Sequence, residues 1–379
     1  MRQYFWLFMS FLTVFIIVYG GTHLHVYFRL IYPLRLTGFS ALLIKILFIV
    51  LCLSFPLLHF VSRGQNGPVV EIINYISSVW MGLIVYLFLA TLGFDLARFL
   101  LKLAGNHALQ NPRLFTSLVS SLAMAITVYG LVEATNIGIT RITVKIPALP
   151  KRLEGTTIAQ ISDVHMGLII QGKRLEKIVT LTNNLHPDLI VITGDLVDEQ
   201  ALHMEELVEP LQRLQSKYGV FACTGNHEYF AGIEKAAAFI EKGGVRLLRN
   251  QWIEVADGLQ LVARDDQAGT RVTGEKIPPL AEIMKGINTR KPVILLHHTP
   301  NTTMDELQRL GVNLQLSGHT HQGQLWPFRY IVKKIYDMPY GLFQSGSTTV
   351  YVSRGTGTWG PPIRVGAAPE ITFITLEQS

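Results

Sequence analysis

Four apolar runs crowd into the first 140 residues of this chain and limit what that part can fold into. They cover residues 4–20, 39–61, 76–94 and 114–131, and each is close to the ~17 to 25 residues that cross a hydrocarbon core as a helix. Residues 1–140 hold eight Lys or Arg and three Asp or Glu, whereas the rest of the chain holds 25 and 24. The sequence therefore predicts a transmembrane anchor of about four helices over 1–140 and a second domain over 141–379.

The basic residues that flank these runs bear on the orientation of the chain. With four spans, the N-terminus and the second domain share one side of the membrane. The loops predicted after the first and third spans carry Arg29, Arg35, Arg98, Lys102 and Arg113, and the opposite side carries Arg2 and Arg63. Because cytoplasmic loops carry the excess of Lys and Arg, we expect a multi-pass cell-membrane protein whose second domain lies outside the cytoplasm. Four basic residues between 141 and 152 weigh against this orientation.

Charge and cysteine content exclude some classes of function for the second domain. Its formal charge is about +1, so it lacks the basic footprint of a protein that binds nucleic acid tightly. The two cysteines, Cys52 and Cys223, offer neither a disulfide framework nor a cysteine-based zinc site.

From about residue 142 the sequence alternates short β-rich runs with amphipathic runs, a pattern typical of an α/β sheet covered by helices. Predicted strands cover residues 142–146, 157–161, 188–193, 219–223, 260–263, 292–296, 313–316, 348–352 and 370–376. Predicted helices cover residues 173–184, 202–214, 233–241, 279–285 and 304–310.

Polar clusters follow five of the predicted strands. They contain Asp163 and His165, Gly194 and Asp195, Asn226 and His227, His297 and His298, and His319 and His321. In an open α/β sheet, ligands collect beyond the carboxyl ends of the strands. We therefore expect these five loops to meet at one rim.

The side chains in these loops are suited to holding two divalent metal ions. Asp163 and His165 are two residues apart, so both can face one ion, and the two oxygens of Asp195 make it the natural bridge between two ions. Asn226 adds a neutral carbonyl, and His319 and His321 can serve one ion each. This mixture of N and O donors suits Mn, Fe or Zn better than Mg or Ca. His227, which is not needed as a ligand, is placed to protonate a leaving alkoxide.

Taken in order, these motifs resemble the motif set of the calcineurin-like metallophosphoesterase superfamily, over about residues 141–379. The motifs are Asp163-x-His165, Gly194-Asp195, Gly225-Asn226-His227-Glu228, His298-Thr299-Pro300 and Gly318-His319-Thr320-His321. The runs 160–165, 194–198 and 351–355 are similar to the branch of membrane-attached bacterial phosphodiesterases. Two positions depart from the family pattern: His297 stands where a small residue is usual, and Gln322 stands where glycine is common.

The resemblance implies a four-layer αββα sandwich and assigns the ligands. Asp163, His165, Asp195 and His321 would hold one metal, and Asp195, Asn226, His298 and His319 the other. His227 would be the catalytic histidine, and His298 rather than His297 the ligand, because the family pattern at this strand end reads His-x-Pro.

The function predicted on this basis is hydrolysis of a phosphodiester or pyrophosphate by a metal-bridging hydroxide. A lipid-linked ester is the leading candidate substrate, because the anchor holds the domain near headgroups. Two alternatives stay open: a phosphomonoesterase with the same site, and a non-catalytic metal-dependent sensor or scaffold.

Aromatic residues between 326 and 340 allow two interpretations. Trp326, Phe328, Tyr330, Tyr336 and Tyr340 could form an amphipathic lid over lipid, or they could pack into the core. Core packing is the commoner use of aromatic side chains, so we expect it here.

Overall fold

The computed structural model describes residues 9, 13–61, 67–106, 108–147, 149–198, 201, 205–256 and 258–379. Its contacts divide the chain into two compact units. The first unit is built on the long N-terminal helices, and the second contains all the described strands.

The first unit contains four helices that are long and apolar enough to cross a membrane. They are α1 (Thr13–Leu34), α2 (Gly38–Val61), α3 (Pro68–Leu103) and α4 (Pro112–Thr135). The predicted number of four is therefore confirmed for the described residues. Helix α1 runs on to Leu34, past the predicted end of the first span, and residues 4–8 and 10–12 of that prediction lie outside the described residues. The bounds of the span itself stay a prediction.

Polar contacts explain why α1 continues past its apolar start. His23 is buried and accepts a hydrogen bond from Trp80 Nε1 at 3.1 Å, and Arg29 forms an ion pair with Asp95 on α3. Pairing lowers the cost of polar side chains inside a bundle. Arg29 therefore lies in a helix and not in a loop.

Two further residues counted as loop charges, Arg98 and Lys102, lie within α3. Their assignment to a loop was wrong, because α3 extends to Leu103 and is longer than the predicted span. A helix that projects past the bilayer still carries its charges on that side, so the charge count is unchanged and the side of the membrane stays a prediction.

The second unit has twelve described strands in two six-stranded sheets. The strands are β1 (Gly138–Ile146), β2 (Thr157–Ile161), β3 (Leu189–Thr193), β4 (Val220–Cys223), β5 (Arg246–Leu247), β6 (Gln251–Ala256), β7 (Leu259–Arg264), β8 (Val293–His297), β9 (Leu314–Ser317), β10 (Gly341–Ser345), β11 (Thr348–Val352) and β12 (Glu370–Gln378). The sheet orders are β1-β12-β2-β3-β4-β5 and β10-β11-β9-β8-β7-β6. All nine predicted strands are present, whereas β5, β6 and β10 were not predicted.

In the described part of the second unit, eight short helices accompany these strands. They are α5 (Gly172–Asn183), α6 (Val208–Gln212), α7 (Asn226–Ala231), α8 (Ile233–Lys242), α9 (Ala268–Thr273), α10 (Leu280–Ile283), α11 (Met304–Arg309) and α12 (Arg329–Ile335). The helix predicted over 202–214 appears as a 3₁₀ turn, Glu205–Leu207, followed by α6, and residues 202–204 of that prediction lie outside the described residues.

Alternation along the strands produces four layers. In β3, Leu189 and Val191 face a core shared with β8, β9 and β11, while Ile190 and Ile192 face the opposite side and pack against α5 and α8. The outer face of the second sheet packs in the same way against α10 and α11. Successive side chains of a strand point to opposite faces of its sheet, so each sheet packs against the other sheet on one face and against helices on the other. The predicted αββα sandwich is confirmed.

The parallel strands set the direction of the loops that follow them. Strands β2, β3 and β4 run parallel in the first sheet, and β8 and β9 run parallel in the second. Parallel neighbours present their carboxyl ends at the same edge of a sheet. The loops that carry the polar clusters therefore leave each sheet from a common edge.

The aromatic residues between 326 and 340 only partly follow the expectation. Trp326, Phe328 and Tyr330 are exposed, so core packing is wrong for them. The reason is local: they lie in and just before α12, and no residue of that helix is buried.

Candidate metal centre

All seven predicted ligands come together at the carboxyl ends of β2, β3, β4, β8 and β9. Their donor atoms form two groups, one of Asp163, His165 and His321 and one of Asp195, His298 and His319 with Asn226 beside it. A third group, which consists of His165, Asp195 and His227, joins the first two. Six of these donors are His or Asp side chains, and the seventh is the amide oxygen of Asn226.

The first group consists of Asp163, His165 and His321. The Nε2 atoms of His165 and His321 lie 3.1 Å apart. His321 Nε2 lies 3.4 Å from Asp163 Oδ1, and His165 Nε2 lies 3.8 Å from Asp195 Oδ2. These distances place four donors around one small volume.

The second group consists of Asp195, His298 and His319, with Asn226 beside them. His298 Nε2 lies 3.1 Å from Asp195 Oδ2 and 3.2 Å from His319 Nδ1. His319 Nδ1 lies 2.9 Å from Asn226 Oδ1. The Asp195 carboxylate thus faces both groups.

The donor chemistry fits divalent cations. Buried imidazole nitrogens face one another and face carboxylate oxygens, and such atoms need either shared protons or a cation to satisfy them. Imidazole with carboxylate and amide oxygen is a donor set for Mn, Fe or Zn. The residues present therefore suit the metal ions that the sequence predicts.

Backbone conformation helps to aim these donors. Asp163, His165, Asp195, His319 and His321 all have positive φ, between 47° and 71°. This region is uncommon for residues other than glycine and costs of order 1–3 kcal/mol, and such strain collects at functional sites. Hydrogen bonds from the amides of Asp163 and His165 to the carbonyls of Gly194 and Asp195 hold the first loop in place.

The ring nitrogen remote from the centre is also held in each of the four histidines. His165 Nδ1 lies 3.0 Å from Asp198 Oδ1, and His298 Nδ1 donates to the carbonyl of Thr193 at 2.8 Å. His319 Nε2 lies 2.9 Å from the Tyr336 hydroxyl, and His321 Nδ1 accepts from the Arg364 guanidinium at 3.0 Å. Such partners fix ring orientation around a metal.

Asp198 also contacts His227. His227 Nδ1 lies 2.8 Å from Asp198 Oδ1, and the His227 side chain is 16% exposed. Burial acts to lower the pKa of His227, but the carboxylates of Asp195 and Asp198 raise it to about 9. A partly accessible imidazole with one nitrogen held by a carboxylate can exchange a proton through the other.

The Asp195 carboxylate is stabilised as an anion by the imidazoles around it. Burial acts to raise its pKa, but His298, His227 and His165 outweigh this effect and hold the pKa well below its usual range. Its Oδ1 also accepts the backbone N–H of His227 at 2.9 Å.

Glu228 holds the loop that carries Asp195. Its carboxylate accepts the backbone N–H groups of Asp195, Leu196, Val197 and Gly225 at 2.6 to 3.2 Å. Burial, with the Asp195 charge, raises the pKa of Glu228. Glu228 therefore positions the backbone that carries Asp195, and it is not one of the predicted ligands.

Two departures from the family pattern now have a location. His297 is fully buried and points to Thr302 Oγ1 at 2.9 Å, and burial lowers its pKa to about 3. Gln322 has a positive φ and follows His321, and its Oε1 is buried without a hydrogen-bond partner in the described part of the chain.

Two aromatic rings flank His227. The rings of Phe230 and Trp359 lie edge-on to it, with centroids at 5.5 Å and 5.9 Å. Phe230 is 58% and Trp359 56% exposed. An apolar surface thus lies beside the partly accessible imidazole of His227.

The sequence did not assign roles to Asp198, Glu228, Tyr336 and Arg364. Asp198 lies in the run 194–198 and Glu228 in the motif Gly225-Asn226-His227-Glu228. Their closeness in sequence to Asp195 and Asn226 could have indicated a supporting role. Arg364 and Tyr336 lie 43 and 17 residues from the ligands that they contact, and nothing in the local pattern points to them.

Comparisons with known proteins match this chain to metallophosphoesterases. The family model for calcineurin-like phosphoesterase matches residues 156–323. An uncharacterised metallophosphoesterase of Campylobacter jejuni is 30% identical over 387 residues, covering 98% of this chain and 99% of that protein. One from Aquifex aeolicus is 32% identical over 258 residues, covering 68% and 98%. A transmembrane protein with metallophosphoesterase domain from Danio rerio is 33% identical over 276 residues, covering 70% and 63%.

Proposed function

This chain belongs to the calcineurin-like phosphoesterase family, and on that basis we propose a membrane-anchored phosphodiesterase or pyrophosphatase with a two-metal centre. Family membership makes it a metal-dependent phosphoric ester hydrolase. The proposal adds the class of ester, the number of ions and the residues that bind them. We assign residues 1–140 to the anchor and 141–379 to the catalytic domain.

The proposed ligands are those predicted from the sequence. Asp163, His165, Asp195 and His321 would hold one ion, and Asp195, Asn226, His298 and His319 the other. The observation that carries the proposal is the position of Asp195 Oδ2, which lies 3.1 Å from His298 Nε2 and 3.8 Å from His165 Nε2. When bound, two such ions supply an activated water and neutralise the oxygens of a phosphoryl group.

His227 is the proposed proton donor to the leaving-group oxygen. Its Nδ1 is held by Asp198 at 2.8 Å, which leaves Nε2 for the substrate. Asp198 also orients His165, so one carboxylate couples the proton donor to a ligand of the first ion.

A lipid-linked ester remains the proposed substrate class. Two features support it: the four apolar helices, and the exposed rings of Phe230 and Trp359 beside His227. An apolar or ring-containing leaving group could lie against these rings and remove their surface from water.

The orientation of the domain outside the cytoplasm is proposed from the flanking charges alone. Protease added to intact cells should cleave a tag at the C-terminus. Protection of that tag until the cells are lysed would reverse the orientation.

The test of the centre uses the full-length chain in nanodiscs, stripped of metal and reloaded with Mn²⁺. Asp195→Asn should lose bound metal and turnover of a bis-aryl phosphate. The matched control, Asp305→Asn, changes a carboxylate on α11, away from the centre, and should keep both. Equal turnover of the Asp195 variant and the control would refute the assigned bridge.

The same preparation separates the two alternatives. Faster turnover of a mono-aryl phosphate than of the diester would favour a phosphomonoesterase. Full metal binding with no turnover of either ester, nor of a diphosphate, would favour a metal-dependent sensor or scaffold.

A further inference from the structure

A surface of the second unit combines exposed apolar side chains with basic ones. It is formed by residues 326–342 and is called here the 326–342 surface. Its exposed apolar residues are Trp326, Phe328, Tyr330, Ile331, Ile335 and Leu342. Helix α12 contributes three of them and buries none of its own residues, so its apolar side chains do not serve the core.

The charge of this surface is mainly positive. Arg329, Lys333 and Lys334 lie on α12, and the segment has one acidic residue, Asp337. The Arg329 guanidinium lies over the Tyr330 ring, 5.0 Å from its centroid. Aromatic and aliphatic side chains beside Lys and Arg are the composition of segments that lie at a membrane–water interface.

The 326–342 surface is joined to the metal centre. Tyr336, at the C-terminal end of α12, places its hydroxyl 2.9 Å from Nε2 of His319. Thr320, which follows His319 in the sequence, donates a hydrogen bond from Oγ1 to the carbonyl of Pro339 at 2.6 Å. The surface and the loop that carries two proposed ligands are therefore parts of one local structure.

The chain also limits how far the second unit can move from a bilayer. Helix α4, a candidate span, ends at Thr135, and β1 begins at Gly138. Two residues separate them, and a residue spans at most about 3.6 Å. A bilayer is thus always within reach of the unit, which is not true of a freely diffusing protein partner.

From these observations we infer that the 326–342 surface docks the catalytic unit onto the surface of an anionic phospholipid bilayer. Trp326, Tyr330, Ile331 and Ile335 enter the interfacial layer, and Lys333 and Lys334 face the anionic headgroups. The consequence is that the loop bearing His319 and His321 stays at headgroup depth, where a lipid-linked ester presents its phosphate.

The test places an environment-sensitive label on the surface in the full-length chain. Ile331→Cys, in a Cys52→Ser background, carries the fluorophore NBD in nanodiscs with or without phosphatidylglycerol. Cys223 is fully buried, and the Cys52→Ser parent, which lacks the introduced thiol, measures the labelling background. The matched control is Val272→Cys on α9, an apolar residue that is 49% exposed.

Docking predicts a blue shift at position 331 and quenching by doxyl-labelled lipid, both stronger with phosphatidylglycerol, and neither at position 272. Replacing Lys333 and Lys334 by Gln should weaken the docked state about fivefold for each lysine. The same replacements at Lys235 and Lys276, exposed elsewhere, should leave it unchanged.

Three outcomes would overturn the inference. The first two are a water-like label at position 331 in both lipid compositions and equal quenching at positions 331 and 272. The third is a disulfide between the unlabelled thiols introduced at position 331 of two chains, in place of lipid contact, which would make the surface an interface between copies. None of these readouts depends on turnover, so the inference can fail while the proposed function stands.

Discussion

The Nδ1 atom of His227 lies 2.8 Å from Oδ1 of Asp198. The same oxygen lies 3.0 Å from Nδ1 of His165. A single carboxylate therefore sets the orientation of the proposed proton donor and of a proposed ligand, although it is neither.

Asp198→Asn should lower activity or metal affinity by about 10- to 100-fold, as loss of an orienting partner does around metal sites. The amide cannot serve as a charged acceptor for both imidazoles. Steady-state turnover and metal titration would measure the two effects, with Asp305→Asn as the control. Unchanged values in both would mean that Asp198 does not orient either histidine.

Arg364→Met should weaken metal binding and lower the melting temperature. The buried guanidinium donates to the carbonyls of Gly357, Arg354 and Ala367 as well as to His321. Each buried carbonyl left without a donor costs about 1–3 kcal/mol. Arg271→Met, at an exposed position on α9, should change neither property. A melting temperature equal to that of the control would contradict this account.

Gly318→Ala should displace the Asp163 carboxylate. A Cβ at position 318 would overlap Ser162 Oγ and Asp163 Oδ2, and overpacking of this kind typically costs about 1–3 kcal/mol. We expect fewer bound ions per chain by elemental analysis. Gly172→Ala is the control, because no atom lies within 4 Å of its added Cβ. Normal metal content in the Gly318 variant would show that the loop absorbs the methyl group.

Removal of metal should abolish turnover, and the ions that restore it should be Mn²⁺, Fe²⁺ or Zn²⁺. Four imidazoles in the proposed ligand set disfavour Mg²⁺ and Ca²⁺, which prefer oxygen. Restoring ions should also raise the melting temperature, since a ligand that binds only the folded state stabilises it. Equal restoration by Mg²⁺ would contradict the proposed donor set.

Trp359→Ala and Phe230→Ala should act on the choice of leaving group. Each removes exposed ring surface beside His227, so kcat/KM should fall more for a diester whose leaving group is a long-chain alcohol than for the corresponding methyl diester. Val272→Ala, which removes exposed apolar surface on α9, is the control. An equal decrease in kcat/KM for both diesters would show that these rings do not bind the leaving group.

Elements that depend on neighbouring residues could be predicted from the amino-acid sequence. Period-two runs such as 157–161 and 348–352 specified strands, and the apolar composition of 39–61 specified a span, because both depend on neighbouring residues. Ordered motifs also indicated the family. The same local signals failed for α1, where His23 and Arg29 resemble loop residues until Trp80 and Asp95 on α3 are placed against them.

Contacts between groups that are far apart in the chain are visible only in the folded protein. Arg364 contacts His321 and Tyr336 contacts His319 because loops from different strands close on the same rim, and no periodicity carries that information. The expectation that Trp326 and Tyr330 pack into the core was wrong for the same reason, since one aromatic composition serves either a core or an interface. The physical reason is that propensity acts between neighbours in sequence, whereas burial and pairing depend on what the folded chain brings alongside.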